Sequence, residues 1–291
     1  MVRLRVRGVL LVAVSLFALV GCGSGEPPRN PAPREDFARV EQETGTRTGV
    51  FAVDTGTGRE VAHRADERFG YASTHKVFSS AQVLRQNEVG GLERRITFRR
   101  EDVVSNSPVT SQHVDSGMTL REIMAAAIHR SDNTAANLLF REIGGPAGLS
   151  AFLRSIGDAT TRPARTETEL NDFVPGDDRD TSTPRAFARS LQAVAVGEAL
   201  PPDKRGILDD LLRTNPSGAS LIRAAVPPGW QVGDKSGGTT THGIRNDIAV
   251  VRSPNRAPIV LAVFTDKPAG EVQYDDAAVA RAAGVALTAL R

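Results

Sequence analysis

The chain has 291 residues, 40% of them hydrophobic and 24% charged, a balance that supports one large domain or two interleaved ones and excludes a disordered chain. Its pI of about 9.0 does not mark a nucleic-acid surface: Arg3, Arg5 and Arg7 carry the excess, and beyond Cys22 the remaining 33 basic residues face 34 acidic ones. Cys22 is the single cysteine, which excludes an intrachain disulfide and a thiolate zinc site; His63, His75, His113, His129 and His242 form no closely spaced pair, so a metal hydrolase is disfavoured.

Met1 to Arg7 is cationic, Gly8 to Val20 is apolar, and small Gly21 precedes Cys22. This is the order of a secretory signal. The apolar run is shorter than the roughly 20 residues a membrane span needs. Leu19-Val20-Gly21-Cys22 resembles a bacterial lipobox. The resemblance implies a signal peptide over residues 1–21 and a lipid anchor on Cys22, which would hold the protein at the cell membrane facing away from the cytoplasm. Without lipidation it would be secreted or periplasmic. Residues 22–34, with Pro27, Pro28, Pro31 and Pro33, read as an extended tether.

From Arg34 to Thr44 the spacing of Phe37 and Val40 predicts a short amphipathic helix. Thr48 to Asp54, the Thr-Gly-Thr-Gly turn and Glu60 to His63 predict a hairpin. Helices are expected over Thr74–Asn87, Thr119–Arg130, Asn133–Ile143, Gly148–Ile156, Pro184–Val196 and Pro202–Leu212. Between Thr161 and Thr183 lies a long polar stretch without periodicity, and such loops are more often functional than idle. Strands return at Trp230–Lys235, Asp247–Arg252 and Ile259–Thr265, before a last helix from Asp275 to Leu290. Strands at both ends and helices between predict an α+β protein: an antiparallel sheet domain from 35–66 and 214–291, and an inserted helical domain over 67–213. The cleft between them is the natural place for a site.

Three short motifs carry chemistry. In Ser73-Thr74-His75-Lys76 a helix places the hydroxyl and the ammonium on one face, and an amine of lowered pKa beside a hydroxyl can activate it as a nucleophile. Ser131-Asp132-Asn133 stands at a helix junction; it offers a second hydroxyl and an amide, or simply a helix cap. Lys235-Ser236-Gly237 ends a predicted strand, where it offers a cation and a hydroxyl to an anion, or only a solvated edge charge. Lysine is scarce in this arginine-rich chain (Lys76, Lys204, Lys235, Lys267), and two of the four occupy motif positions.

In this order the three motifs resemble the penicillin-recognising serine enzymes, and Glu167-Thr168-Glu169-Leu170-Asn171 resembles the Glu-x-x-Leu-Asn loop motif of the class A serine β-lactamases. The resemblance runs from about Asp36 to Arg291. It implies a five-stranded antiparallel sheet flanked by helices and an Ω loop over about 162–181. It implies hydrolysis of penicillin- or cephalosporin-type β-lactams through an acyl-serine, hence antibiotic resistance, by a monomer without cofactor and with no nucleic-acid partner. Ser73 would be the nucleophile, Lys76 its partner, and Ser131 the proton donor to the ring nitrogen. Glu167 and Asn171 would hold the hydrolytic water, while Asn133, Lys235, Ser236, Gly238 and Arg245 would bind substrate. Backbone N–H groups of Ser73 and Gly238 would form the oxyanion hole, and an Arg165–Asp180 pair would pin the loop. Whether Lys76 or Glu167 takes the Ser73 proton stays open.

Departures from the family pattern border the substrate. Asn106 replaces an aromatic cleft-wall residue, Thr168 a proline, and the turn Gly238 to Gly243 is one residue longer. A slow-deacylating cell-wall transpeptidase and a non-catalytic binding lipoprotein are the competing readings.

Overall fold

The computed structural model describes residues 2, 34–268 and 270–291. Cys22, the tether up to residue 33 and, apart from Val2, the signal segment lie outside them.

Strand β1 (Arg47–Asp54) is followed by β2 (Glu60–His63), β3 (Gln231–Thr239), β4 (Ile244–Arg252) and β5 (Ile259–Asp266). They form one antiparallel sheet in the order β2–β1–β5–β4–β3. Every residue of β5 is buried, as a central strand covered on both faces requires. Alternation sorts the side chains between two cores. Phe51, Val53, Val250, Val260 and Phe264 enter the larger one, shared with the helical region. Val50, Ala52, Val251, Leu261 and Val263 enter the smaller one, under helices α1 (Arg34–Thr44) and α8 (Asp276–Leu290).

The helical region comprises α2 (Lys76–Gln86), α3 (Leu120–His129), α4 (Asn133–Ile143), α5 (Gly145–Ser155), α6 (Pro184–Ala195) and α7 (Pro202–Arg213). Helix α2 is buried on nearly all sides, the mark of a central helix. Phe187 of α6 joins the region to the sheet by edge-on packing against Phe78 and Phe264. Among the described residues no helix is long and apolar enough to cross a membrane.

The α+β architecture and the five-stranded antiparallel sheet agree with the expectation, and element boundaries differ by more than one residue in three places. The nucleophile helix begins two residues early, as a 3₁₀ turn over Ala72–His75. Helix α5 starts at Gly145 rather than Gly148, because Gly144 (φ 85°) closes α4 in the left-handed region and Pro146 suits the first turn of the next helix. Strand β3 continues through Lys235-Ser236-Gly237 to Thr239, and β4 begins at Ile244, paired from Gln231↔Arg252 to Thr239↔Ile244. That extension has no apolar alternation to announce it; backbone pairing alone makes it a strand.

Candidate active site

The 3₁₀ turn Ala72–His75 and the first turn of α2 lie against the edge strand β3. Gly237 makes this approach possible: a Cβ there would stand 3.0 Å from the backbone nitrogens of Ser73 and Thr74, so a side chain would push strand and turn apart. Three non-glycine residues around the cleft, Ala72, Asn106 and Ser131, have φ of 46°, 55° and 51°. Such conformations cost about 1–3 kcal/mol each and concentrate where side chains must be aimed.

Lys76 is the hub. Its Nζ donates to Ser73 Oγ at 2.9 Å, to Asn133 Oδ1 at 2.8 Å and to the Ser131 carbonyl at 2.8 Å, and lies 3.4 Å from Ser131 Oγ. Glu167 Oε1 sits 2.9 Å from the same nitrogen, and both side chains are fully buried. Ser73 Oγ and Glu167 Oε1 are therefore no further apart than about twice one hydrogen bond, the span a single water bridges. Asn171 Nδ2 donates to Glu167 Oε2 at 2.7 Å. Burial, only partly offset by Glu167, pushes Lys76 below the ordinary lysine range. Burial alone would raise Glu167, but the adjoining Lys76 and His75 outweigh it and hold the carboxyl at about 2.

Lys235 is not a solvated edge charge. It is wholly buried, with Nζ donating to Ser131 Oγ at 3.2 Å and to the Ser236 carbonyl at 2.5 Å. Ser131 Oγ thus lies between two amines. Burial first, then the neighbouring Lys76 charge, lower Lys235 to about 7. An open cleft of about 570 Å³ lies over this cluster, lined by Ser73, Ser131, Asn133, Asn171, Ser236 and Gly238, with Arg245 and Asn106 at its rim. Arg245 pairs with Asp276 Oδ1 at 2.6 Å and its guanidinium lies 4.7 Å over the Tyr274 ring. Both contacts tie the start of β4 to the segment that leads into α8.

The long polar segment is held at its base. Asp180 Oδ2 accepts from Arg165 Nε at 2.6 Å, while Oδ1 accepts from the Tyr71 hydroxyl at 2.9 Å and from the Ala164 and Arg165 backbone. Asp180→Ala would strand those donors. Removing one member of a buried pair costs about 3 kcal/mol or more, so its denaturation midpoint should fall accordingly; an unmoved midpoint would mean the loop is held elsewhere.

All the motif residues named from the sequence converge here except Cys22, which lies outside the described residues. Asp132 serves as the cap: it accepts from the Ala135 backbone and, across the cleft floor, from the backbone and hydroxyl of Thr110. Two partners of Glu167 escaped the sequence reading. Asn137 clamps its backbone, accepting from Glu167 N at 2.9 Å and donating to Glu167 O at 2.8 Å; its position four residues after Asn133, on the same helix face, was an available signal. His75, the residue before Lys76, lies with Nε2 3.4 Å from Glu167 Oε1.

A sequence profile described as the beta-lactamase enzyme family matches residues 32–290. A beta-lactamase of Bacillus amyloliquefaciens is 49% identical over 88% of this chain and 84% of its own length. A carbapenem-hydrolyzing beta-lactamase of Klebsiella oxytoca is 48% identical over 88% of each. The crystal structure of a class A beta-lactamase from Clostridium kluyveri superposes with a TM-score of 0.86 at 45% identity, covering 88% of this chain and 98% of that one. Motif order, site geometry and these likenesses agree: the chain belongs to the beta-lactamase enzyme family, among its class A members.

Proposed function

We propose that this protein hydrolyses the lactam amide of penicillin- and cephalosporin-type antibiotics through an acyl-enzyme on Ser73, and so protects the cell that makes it. One observation carries the reading: Ser73 Oγ and Glu167 Oε1 share Lys76 Nζ at 2.9 Å each. Ser73 Oγ attacks the lactam carbonyl while its proton passes to the Lys76 amine, or through water to Glu167. Backbone N–H groups of Ser73, at a helix start where they lack intrahelical partners, and of Gly238 receive the charge that develops on the carbonyl oxygen. Ser131 Oγ, replenished by the flanking lysines, protonates the departing nitrogen. Glu167 and Asn171 then aim water at the ester; the water's proton goes to Glu167, the acyl–oxygen bond breaks, and Ser73 recovers its proton. Asn133 faces the substrate's side-chain amide, and Ser236, Lys235 and Arg245 meet its carboxylate. A Glu167 carboxylate so placed distinguishes this site from that of a transpeptidase, which has no need of one.

The same reading places the protein outside the cytoplasm as a monomer held at the membrane by lipidated Cys22. It also divides the folded part into the sheet unit (35–66 with 214–291) and the helical unit (67–213).

The test is hydrolysis of a chromogenic cephalosporin and of a penicillin by purified protein from pH 5 to 10. Lys235 is protonated below about 7 and neutral above it, so kcat/KM for these anionic substrates should decline as pH rises through that value. A bound carboxylate favours the ammonium, so the fall in kcat should come at higher pH. Absence of turnover overturns the function, and a flat kcat/KM profile overturns the role of Lys235.

A further inference from the structure

His75 lies in the one position between the nucleophile and its lysine partner that faces the loop carboxylate. Its ring is buried and lies flat on Phe140, centroids 5.0 Å apart at 11°, with Tyr71 tilted against it at 5.7 Å. Nε2 stands 3.4 Å from Glu167 Oε1, and Nδ1 stands 3.3 Å from Ser79 Oγ, one helical turn on.

The partners determine where the ring proton is. An ionised carboxylate can only accept, whereas a serine hydroxyl can donate. The carboxylate takes Nε2–H, which leaves Nδ1 an acceptor for the Ser79 O–H, a proton shared with the His75 backbone carbonyl 3.4 Å from the same hydroxyl oxygen. Burial pushes the ring below the ordinary histidine value, against the pull of Glu167, so it remains neutral and keeps this tautomer. The other titratable groups around the pair are Lys76 on the same helix, Tyr71 just before it, Asp132 at the start of α4 and Lys235 on β3. Lys76 is the strongest donor to Glu167, but it is also bound to Ser73 and Ser131 and changes protonation if it serves as their proton relay. His75 supplies a donor that does not depend on that relay.

We propose that His75 is a positioning residue for the hydrolytic base: its neutral Nε2–H, oriented by Ser79 and the Phe140 stack, holds Glu167 Oε1 while Asn171 holds Oε2, so that the carboxylate stays aimed at water throughout the acyl-enzyme stage. The inference rests on the acyl-serine reading given above, and it concerns the second half of that reaction. A donor to the charged form also lowers the carboxyl pKa, so losing it moves the acid limb of deacylation to higher pH.

The experiment compares wild type with His75→Phe, which keeps the stacking volume but removes the donor, and His75→Gln, which restores an N–H of similar reach. Acylation and deacylation are separated by stopped flow with a chromogenic cephalosporin and by intact mass of the acyl-enzyme, in pH jumps from about 2 to 8 that bracket the acid limb of Glu167. Expected for His75→Phe are deacylation about tenfold slower, little change in acylation, kcat and KM falling together, and an acid limb displaced upward. His75→Gln should recover much of the rate and return the limb toward the wild-type position. Wild-type deacylation in His75→Phe overturns the inference while leaving the acyl-serine reading intact. Equal losses in both variants with an unmoved acid limb also overturn it, since they assign the residue to core packing. If His75→Phe fails to fold, Ser79→Ala decides: it frees the tautomer and should raise the limb while His75→Gln keeps it near the wild-type position, and an unmoved limb in Ser79→Ala refutes the role. A wild-type enzyme that forms no acyl adduct refutes the acyl-serine reading itself.

Discussion

Glu167→Gln should accumulate a stable acyl-enzyme, with deacylation slowed about a thousandfold, the scale on which a positioned general base acts. The amide is the same shape but has little basicity. It also presents an N–H where the carboxylate accepted from both Asn171 Nδ2 and Lys76 Nζ, so one of those donors must face another donor. Intact mass after mixing with a penicillin should show the protein plus one antibiotic, persisting long after the wild-type adduct has gone. The same variant resolves which group activates Ser73. If Lys76 is the base, the acylation burst survives, because Glu167 otherwise favours the charged form of that lysine and its loss makes the free amine more available. If the burst collapses with turnover, Glu167 acts in both halves. Undiminished turnover with no adduct would remove Glu167 from the mechanism.

Ser73→Ala should abolish the adduct and reduce turnover by on the order of 10⁴-fold or more, as loss of a nucleophile does where the remaining groups cannot replace it. The fold should tolerate the change. Lys76 keeps Asn133 Oδ1, the Ser131 carbonyl and Glu167 as partners, so a single hydrogen bond is lost, worth about 1 kcal/mol. Near-native stability with no turnover separates a chemical role from a structural one. Retention of the adduct would move the nucleophile elsewhere, with Ser131 as the nearest hydroxyl.

What was legible in the sequence follows from what each signal depends on. The nucleophile, its lysine and the Ser-Asp-Asn group were readable because their spacing is fixed by one helix or one turn. The loop carboxylate was readable through its local motif. The sheet was legible as apolar runs, but not the continuation of β3 through Lys235 to Thr239, where pairing with β4 replaces hydrophobic periodicity as the cause of the strand. The position of Lys235 was clear but its burial was not, because a lysine at the end of a strand carries no mark of the Ser131 segment, distant in the chain, that meets its ammonium. Tyr71, Asn137 and His75 went unnoticed for a similar reason. Each acts on a residue far away in the chain, Tyr71 on Asp180 and the other two on Glu167, and such contacts leave no local pattern.

The position of β1 beside β5 has a consequence for how the chain is made. The two strands pair from Arg47↔Asp266 to Asp54↔Ile259, across a separation of 219 residues at the Arg47–Asp266 end. The inner strand that begins the sheet has no long partner until nearly the whole polypeptide has been synthesised. Topologies dominated by such distant pairings assemble slowly, since the closure entropy of a long loop must be met before any ladder bond rewards it. The β1–β5 ladder of such a chain cannot close until its last strands emerge.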